Sequence, residues 1–298
     1  MIDPPAPVVV YRSHWRPDCA ERAFVLQAVG IGSQVLQDAR GWVLLVAEAD
    51  TPGAAVQLRR YDLENPPKRR LPEPEPAHRQ AWAGVAGYVL VLLAVGYLAG
   101  VHAFGVDWLA AGGLVGAAVR SGEAWRTVTA LTLHFDVAHL VANLGFGAVF
   151  GLFAARALGP GVAAATVLAA AAAANGLNAL VQPAASLSAG ASTAVFATLG
   201  LLAGYEWRRR AAAPERRAWR WAPLVAGVFL LGFTGAGGEN TDVVAHIAGF
   251  ATGALAGIAQ ARWRLPRGPL AQWIAGLASV GAIAVAWAAA IAFSSGGP

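Results

Sequence analysis

Seven apolar segments follow one another along the last three quarters of the chain, over residues 82–104, 137–158, 161–181, 192–207, 221–234, 243–261 and 270–293. A helix needs roughly 20 apolar residues to cross the hydrocarbon layer of a membrane. Backbone in lipid has no water to bond to, so segments of this kind fold as helices that satisfy their own N–H and C=O groups. The chain is therefore expected to be an all-α polytopic membrane protein over this region. The fourth and fifth segments are shorter than a full crossing, which implies that their ends stop below the surface or meet a buried aqueous cavity. Composition agrees: 57% of the 298 residues are hydrophobic and 13% are charged, against roughly 25% charged in soluble domains. A single water-soluble core could not hide that much apolar surface.

The formal net charge of +5 does not point to nucleic acid, because the basic residues gather at the edges of the apolar runs. Placing the amino terminus in the cytoplasm puts ten Lys and Arg residues before the first span and ten in inner loops, and leaves Arg120 and Arg126 outside. The cluster Arg208, Arg209, Arg210, Arg216, Arg217 and Arg220 fixes one turn inside, as the excess of positive charge on cytoplasmic loops requires. No cleavable signal peptide is legible at the amino terminus, since the first apolar run is short and is followed by Arg12, Arg16 and Asp18. The Ala, Gly and Arg richness points to a bacterial source, and so to a multi-pass protein of the bacterial inner membrane. The lone Cys19 allows no internal disulfide and fits no metal-ligand spacing. It reads as an incidental side chain in a reducing compartment.

Residues 1–66 hold much of the charge and read as a small cytoplasmic, soluble α/β domain. The pattern predicts a strand at 8–11, a helix at 18–29, strands at 31–36 and 42–47, and a helix at 52–61. In pattern this segment, with GWVLLVAEAD at its centre, resembles a small prokaryotic α/β domain associated with signalling. Residues 67–81 form a proline-rich linker. The helical core is expected over 82–262, and residues 263–298 add one more transmembrane helix.

Polar and ionisable residues inside apolar spans are costly and mark function by default. Three places stand out. The first, WRTVTALTLHFDVAHLVANLGF, holds Trp125, Arg126, His134, His139 and Asn143; His139 and Asn143 are four apart and share one helix face. The second, LSAGASTAVFATLG, puts Ser192 at the start of the fourth span behind Gly190. The third, DVVAHIAGFATGALAG, carries His246 followed by Gly249, Gly253 and Gly257. Small residues at every fourth position let helix backbones approach closely in lipid. If this face packs on the fourth span at Gly200 and Gly204, the His246 imidazole comes within reach of the Ser192 hydroxyl, and a nucleophile and base are assembled across two helices.

These motifs resemble the rhomboid family of intramembrane serine proteases over about residues 82–262. Trp125-Arg126 match the Trp-Arg pair of the first outer loop. His134, His139 and Asn143 match a His-x4-His-x3-Asn pattern, Gly190-Ala191-Ser192 a Gly-x-Ser pattern, and Ala245-His246 with Gly249 and Gly253 an Ala-His-x2-Gly-x3-Gly pattern. The resemblance implies a six-helix core, here extended by a seventh helix, and a Ser192–His246 dyad reached by water from outside. It also implies hydrolysis of peptide bonds in or near the transmembrane segments of substrate proteins, with the lipid bilayer as the working medium and no cofactor or metal. His139, Asn143 and the Ser192 backbone N–H would hold the oxyanion, while Gly190, His134, Gly249, Gly253, Trp125 and Arg126 would support the site. Thr193 stands where a second glycine commonly follows the serine. Nothing in the sequence sets the oligomeric state.

Each residue has a plainer reading beside the chemical one. Ser192 alone could cap a helix, His246 could bond a neighbouring helix, and Asn143 could act as interhelical glue. His134 divides between structural bonding and support of the site. Trp125 and Arg126 fit an anchor for the first loop at the interface. Asp242, one turn before His246, stands where it could orient the imidazole. A zinc site from His134, His139 and His246 lacks the Glu and the helical spacing of a zincin motif. A soluble hydrolase elbow lacks its second glycine and its strand. A silent relative that binds membrane clients usually lacks the serine or the histidine, and both are present.

Overall fold

A computed structural model of the chain describes residues 7–65, 78, 80–211, 217–235, 242–263 and 267–295. Apart from His78, Gln80 and Ala81, the expected linker at 67–81 lies outside the described residues, as does Arg216 of the basic cluster. The chain divides into two compact units, Met1–Arg70 and Leu71–Pro298.

The first unit runs β1 (Val8–Ser13), α1 (Arg16–Ala28), β2 (Ser33–Asp38), β3 (Gly41–Val46) and α2 (Thr51–Glu64). Its antiparallel sheet has the order β1-β3-β2. β2 and β3 form a hairpin in which Asp38 pairs with Gly41, and the Asp38 carboxylate accepts from the Arg40 N–H at the turn. Leu26, Leu44, Val46, Ala54 and Leu58 make the core between the sheet and the two helices. Cys19 is buried and free in α1. The helix starts two residues before its expected position because Pro17 occupies the first turn, where its missing N–H costs nothing.

The second unit is helical. α3 (Ala81–Gly100) is followed by a loop layer made of α4 (Trp108–Gly112), β4 (Leu114–Val115), α5 (Gly116–Arg120) and α6 (Arg126–Thr129). Then come α7 (Val137–Leu158), α8 (Pro160–Val181), β5 (Leu187–Ser188), α9 (Ser192–Arg210), α10 (Arg217–Gly235), α11 (Val243–Trp263) and α12 (Pro269–Ser295). Five of these helices, α3, α7, α8, α11 and α12, are long and apolar enough to cross a membrane. The expected first span was 82–104, yet α3 ends at Gly100: His102 and Phe104 take positive φ angles of 47° and 61°, which no helix accommodates.

α9 is the central element. Eleven of its residues, from Thr193 to Tyr205, are buried, and α7, α8, α10 and α11 all pack on it. Its closest partner is α11. A side chain at Gly200 or Gly204 would run into the α11 backbone at Phe250 and Ala254, and one at Gly249, Gly253 or Gly257 into the α9 backbone at Thr193, Ala197 and Leu201. The glycines of both helices thus face each other, and the approach they permit is available to no larger residue. In α10, Pro223 lacks the N–H that would bond the Trp219 carbonyl. The Arg210 guanidinium donates to that carbonyl instead, at 3.1 Å.

Candidate active site

The segment that leads into α9 is fastened by backbone before any side chain is considered. β5 pairs with β4, placing Leu187 opposite Val115 and Ser188 opposite Leu114. The Gly190 N–H then donates to the Ala130 carbonyl at 2.9 Å, and the Ala191 N–H donates to His134 Nε2 at 3.3 Å. Burial pushes the His134 imidazole down to about 4, so it is neutral and can accept at ordinary pH. Gly190 turns the chain at φ 151°. Ala191 is the N-cap of α9 and Ser192 its first residue; the serine hydroxyl is turned to another helix rather than used as a cap.

That hydroxyl lies 2.8 Å from His246 Nε2. His246 is 7% exposed on the first turns of α11, with the Phe196 ring tilted against it at 4.4 Å between centroids. The neighbouring Thr193 side chain is buried, and its carbonyl lies where a side chain on Gly249 would be. A hydroxyl in hydrogen-bonding reach of an imidazole can pass its proton to the ring as it attacks an electrophile.

His139 closes another side of the same space. Its backbone N–H is held at 2.7 Å by the Asp136 carboxylate, which caps α7. The absent side chain of Gly190 marks a point 2.9 Å from His139 Nε2 and 3.5 Å from Ser192 Oγ, so imidazole and hydroxyl flank one small opening. The His134 and His139 rings meet edge to face at 5.2 Å. Asn143, one turn further along α7, is 5% exposed, and its buried Nδ2 has no hydrogen-bond partner in the described residues. Its backbone carbonyl accepts from Tyr88 Oη at 2.7 Å.

Trp125 and Arg126 sit apart from this opening, in the loop layer. The Arg126 guanidinium is buried, paired with Glu123 at 2.6 Å and donating to the carbonyls of Ala110 and Gly113. The Trp125 ring lies tilted against Phe293 of α12, with centroids 5.2 Å apart. No three His, Cys, Asp or Glu side chains converge to hold a metal ion among the described residues.

Two sets of contacts were missed by sequence reasoning. Asp242 does not face the imidazole: its carboxylate accepts from Asn178 Nδ2 at 2.5 Å, Gln182 Nε2 at 2.9 Å and the Ala245 N–H at 3.0 Å. Asn178 and Gln182, four apart at the end of an apolar helix, were themselves the signal. The second set is on α12, where Trp287 Nε1 donates to Thr132 Oγ1; an isolated Trp in an apolar run gives no such hint.

Fold and site together define a polytopic helical membrane protein with a serine and a histidine from two parallel helices meeting in its interior. Residues 121–263 match the model of the Rhomboid domain. The chain is also 31% identical over 140 residues to the rhomboid-like protease 2 of Toxoplasma gondii, a match that covers 47% of this chain and 49% of that relative. The chain thus spans about half the length of the curated relative it matches.

Proposed function

We propose that the protein is an intramembrane serine endopeptidase that hydrolyses peptide bonds in or near the transmembrane segments of other membrane proteins. The observation that carries this reading is the 2.8 Å contact between Ser192 Oγ and His246 Nε2. As Oγ bonds to the scissile carbonyl carbon, His246 takes the hydroxyl proton and afterwards delivers it to the leaving nitrogen. Water then attacks the acyl-enzyme with His246 again as base, and Ser192 is released. The developing oxyanion is held by the Ser192 backbone N–H with His139 and Asn143, whose unpartnered buried amide supports that role. Gly190 keeps the opening clear, His134 holds the turn before the nucleophile, and Gly249 and Gly253 set the distance between the helices. Trp125 and Arg126 support the site from the loop layer.

In the same reading the amino-terminal α/β domain over 1–66 is cytoplasmic and joined by the linker 67–81 to the core 82–262, with 263–298 as an added transmembrane helix. The membrane is the bacterial inner membrane. A helical peptide bond is shielded by its own hydrogen bonds, so substrates would carry helix-weakening residues near the face where the dyad lies.

The test is cleavage of a model transmembrane substrate by purified protein in detergent, with Ser192→Ala and His246→Ala beside the wild type and each assay repeated with a chelator. Cleavage by the wild type alone, insensitive to the chelator, is expected. If wild type and variants are equally inert while folded and binding the same segment, the protein is a silent, rhomboid-like client-binding protein instead.

A further inference from the structure

Three donors from two helices converge on one carboxylate at the base of the candidate site. Asp242 Oδ2 accepts from Asn178 Nδ2, and Oδ1 accepts from Gln182 Nε2 and from the Ala245 N–H. The Asp242 carbonyl in turn accepts from the His246 N–H at 3.1 Å. One residue therefore holds the backbone N–H groups of Ala245 and His246, and its side chain ties that turn to the end of α8. Asn178 is fully buried, in a helix that crosses lipid. Such a cluster is expensive to assemble there, and a carboxylate capping a helix N-terminus also gains from the helix dipole.

We infer that Asp242, clamped by Asn178 and Gln182, is a positioning residue for His246, fixing the rotation and height of α11 so that Nε2 stays in line with the Ser192 hydroxyl. The inference rests on the dyad reading given above. The glycine ladder lets α11 approach α9 but leaves it free to slide or turn along the groove. The clamp removes that freedom at the end of the helix where the base sits. A carboxylate is required because all three partners are donors. An amide at 242 would present its own NH2 to one of them, losing a bond and setting donor against donor.

The chemistry also predicts its own rescue. Exchanging the two side chains, Asn178→Asp with Asp242→Asn, lets the amide at 242 donate to a carboxylate at 178 while its oxygen still accepts from Gln182 and Ala245, so the number of bonds and the charge are kept. The experiment measures kcat and KM for a transmembrane substrate, and the rate of covalent labelling of Ser192 by a fluorophosphonate probe, for wild type, Asp242→Asn, Asn178→Asp and the exchanged pair. Thermal stability in detergent is followed in parallel. We expect Asp242→Asn to lower kcat and labelling by about 10- to 100-fold with KM nearly unchanged, and the exchanged pair to recover most of the loss. A wild-type rate in Asp242→Asn overturns the inference and leaves the dyad reading standing. So does a loss that follows thermal stability and is not recovered by the exchange. A wild type that neither cleaves nor labels overturns the dyad reading, and the positioning role with it.

Discussion

Gly253 of α11 lies directly on the backbone of Ala197 in α9: a side-chain carbon at Gly253 would meet the Ala197 carbonyl oxygen, with its carbon at 2.7 Å and its Cα at 2.8 Å. Backbone cannot yield as a flexible side chain can, so even a methyl group must push the helices apart. About two turns away along α11 the same helix pair sets the 2.8 Å contact between Ser192 and His246.

Gly253→Ala should therefore lower substrate cleavage and fluorophosphonate labelling of Ser192 by at least about tenfold, since proton transfer needs the two atoms in hydrogen-bonding reach. Gly281→Ala in α12, where a methyl group meets nothing within 4 Å, should stay within about twofold of wild type. Equal behaviour of the two variants would show that helix approach does not govern the dyad.

The neutral state of His134 gives a pH signature. Burial, aided by the nearby His139, lowers its pKa from 6.5 to about 4, so the folded protein binds a proton there less readily than the unfolded chain. The stability this group contributes is fully present above pH 6.5 and declines as pH falls from 6.5 towards 4. Because the ring is only partly buried, solvent screening limits the loss by pH 5 to on the order of 1 kcal/mol. His134→Gln keeps an acceptor for the Ala191 N–H without a titrating ring. Its melting temperature should fall less than the wild type's between pH 7.5 and pH 5, by a few degrees. Parallel curves for the two proteins would rule out His134 as the titrating group.

Much of this arrangement was legible in the sequence and some was not, for physical reasons. Span lengths follow from the thickness of lipid, so 137–158 and 161–181 were readable almost to the residue against α7 and α8. Glycines four apart define one helix face, which marked α11 as a close-packing helix before its partner was known. Spacing says which face a residue is on, not where its side chain ends. Asp242 sits one turn before His246, yet its oxygens go to Asn178 and Gln182, about 60 residues away in sequence. The contacts of α12 are hidden for the same reason: they depend on which loops fold beneath it.

Trp287 makes that last point measurable. It is 6% exposed, packs tilted against Trp108 at 4.4 Å between centroids and donates to Thr132 Oγ1 at 3.1 Å, two residues before His134. Burial from lipid brings little hydrophobic gain, so the cost of Trp287→Ala comes from lost packing and the lost bond, about 2 kcal/mol. Trp287→Phe keeps a ring and loses the bond, for about 1 kcal/mol. Melting curves in detergent should rank wild type, Phe and Ala in that order. An Ala variant as stable as wild type would make α12 a passive addition to the bundle.

Gly190 offers the sharpest separation of chemistry from folding. The carbon that any other residue would add lies 2.7 Å from His139 Cε1 and 2.9 Å from its Nε2, and 3.5 Å from the serine hydroxyl. It would fill the opening where, on the proposed mechanism, a substrate carbonyl enters and its oxyanion forms. The backbone there also has φ 151°, a conformation that residues with a side chain rarely adopt. Because the segment is anchored on both sides, through β5 and the Ala130 carbonyl before it and α9 after it, Gly190→Ala should leave the bundle folded. Losing one oxyanion donor costs about 100- to 1000-fold in rate, and displacing His139 should cost a similar factor in kcat. Far-UV circular dichroism and the melting temperature should change little while cleavage falls by that factor. Full activity in Gly190→Ala would mean that the carbonyl does not enter between His139 and Ser192, and the oxyanion role of His139 would fall.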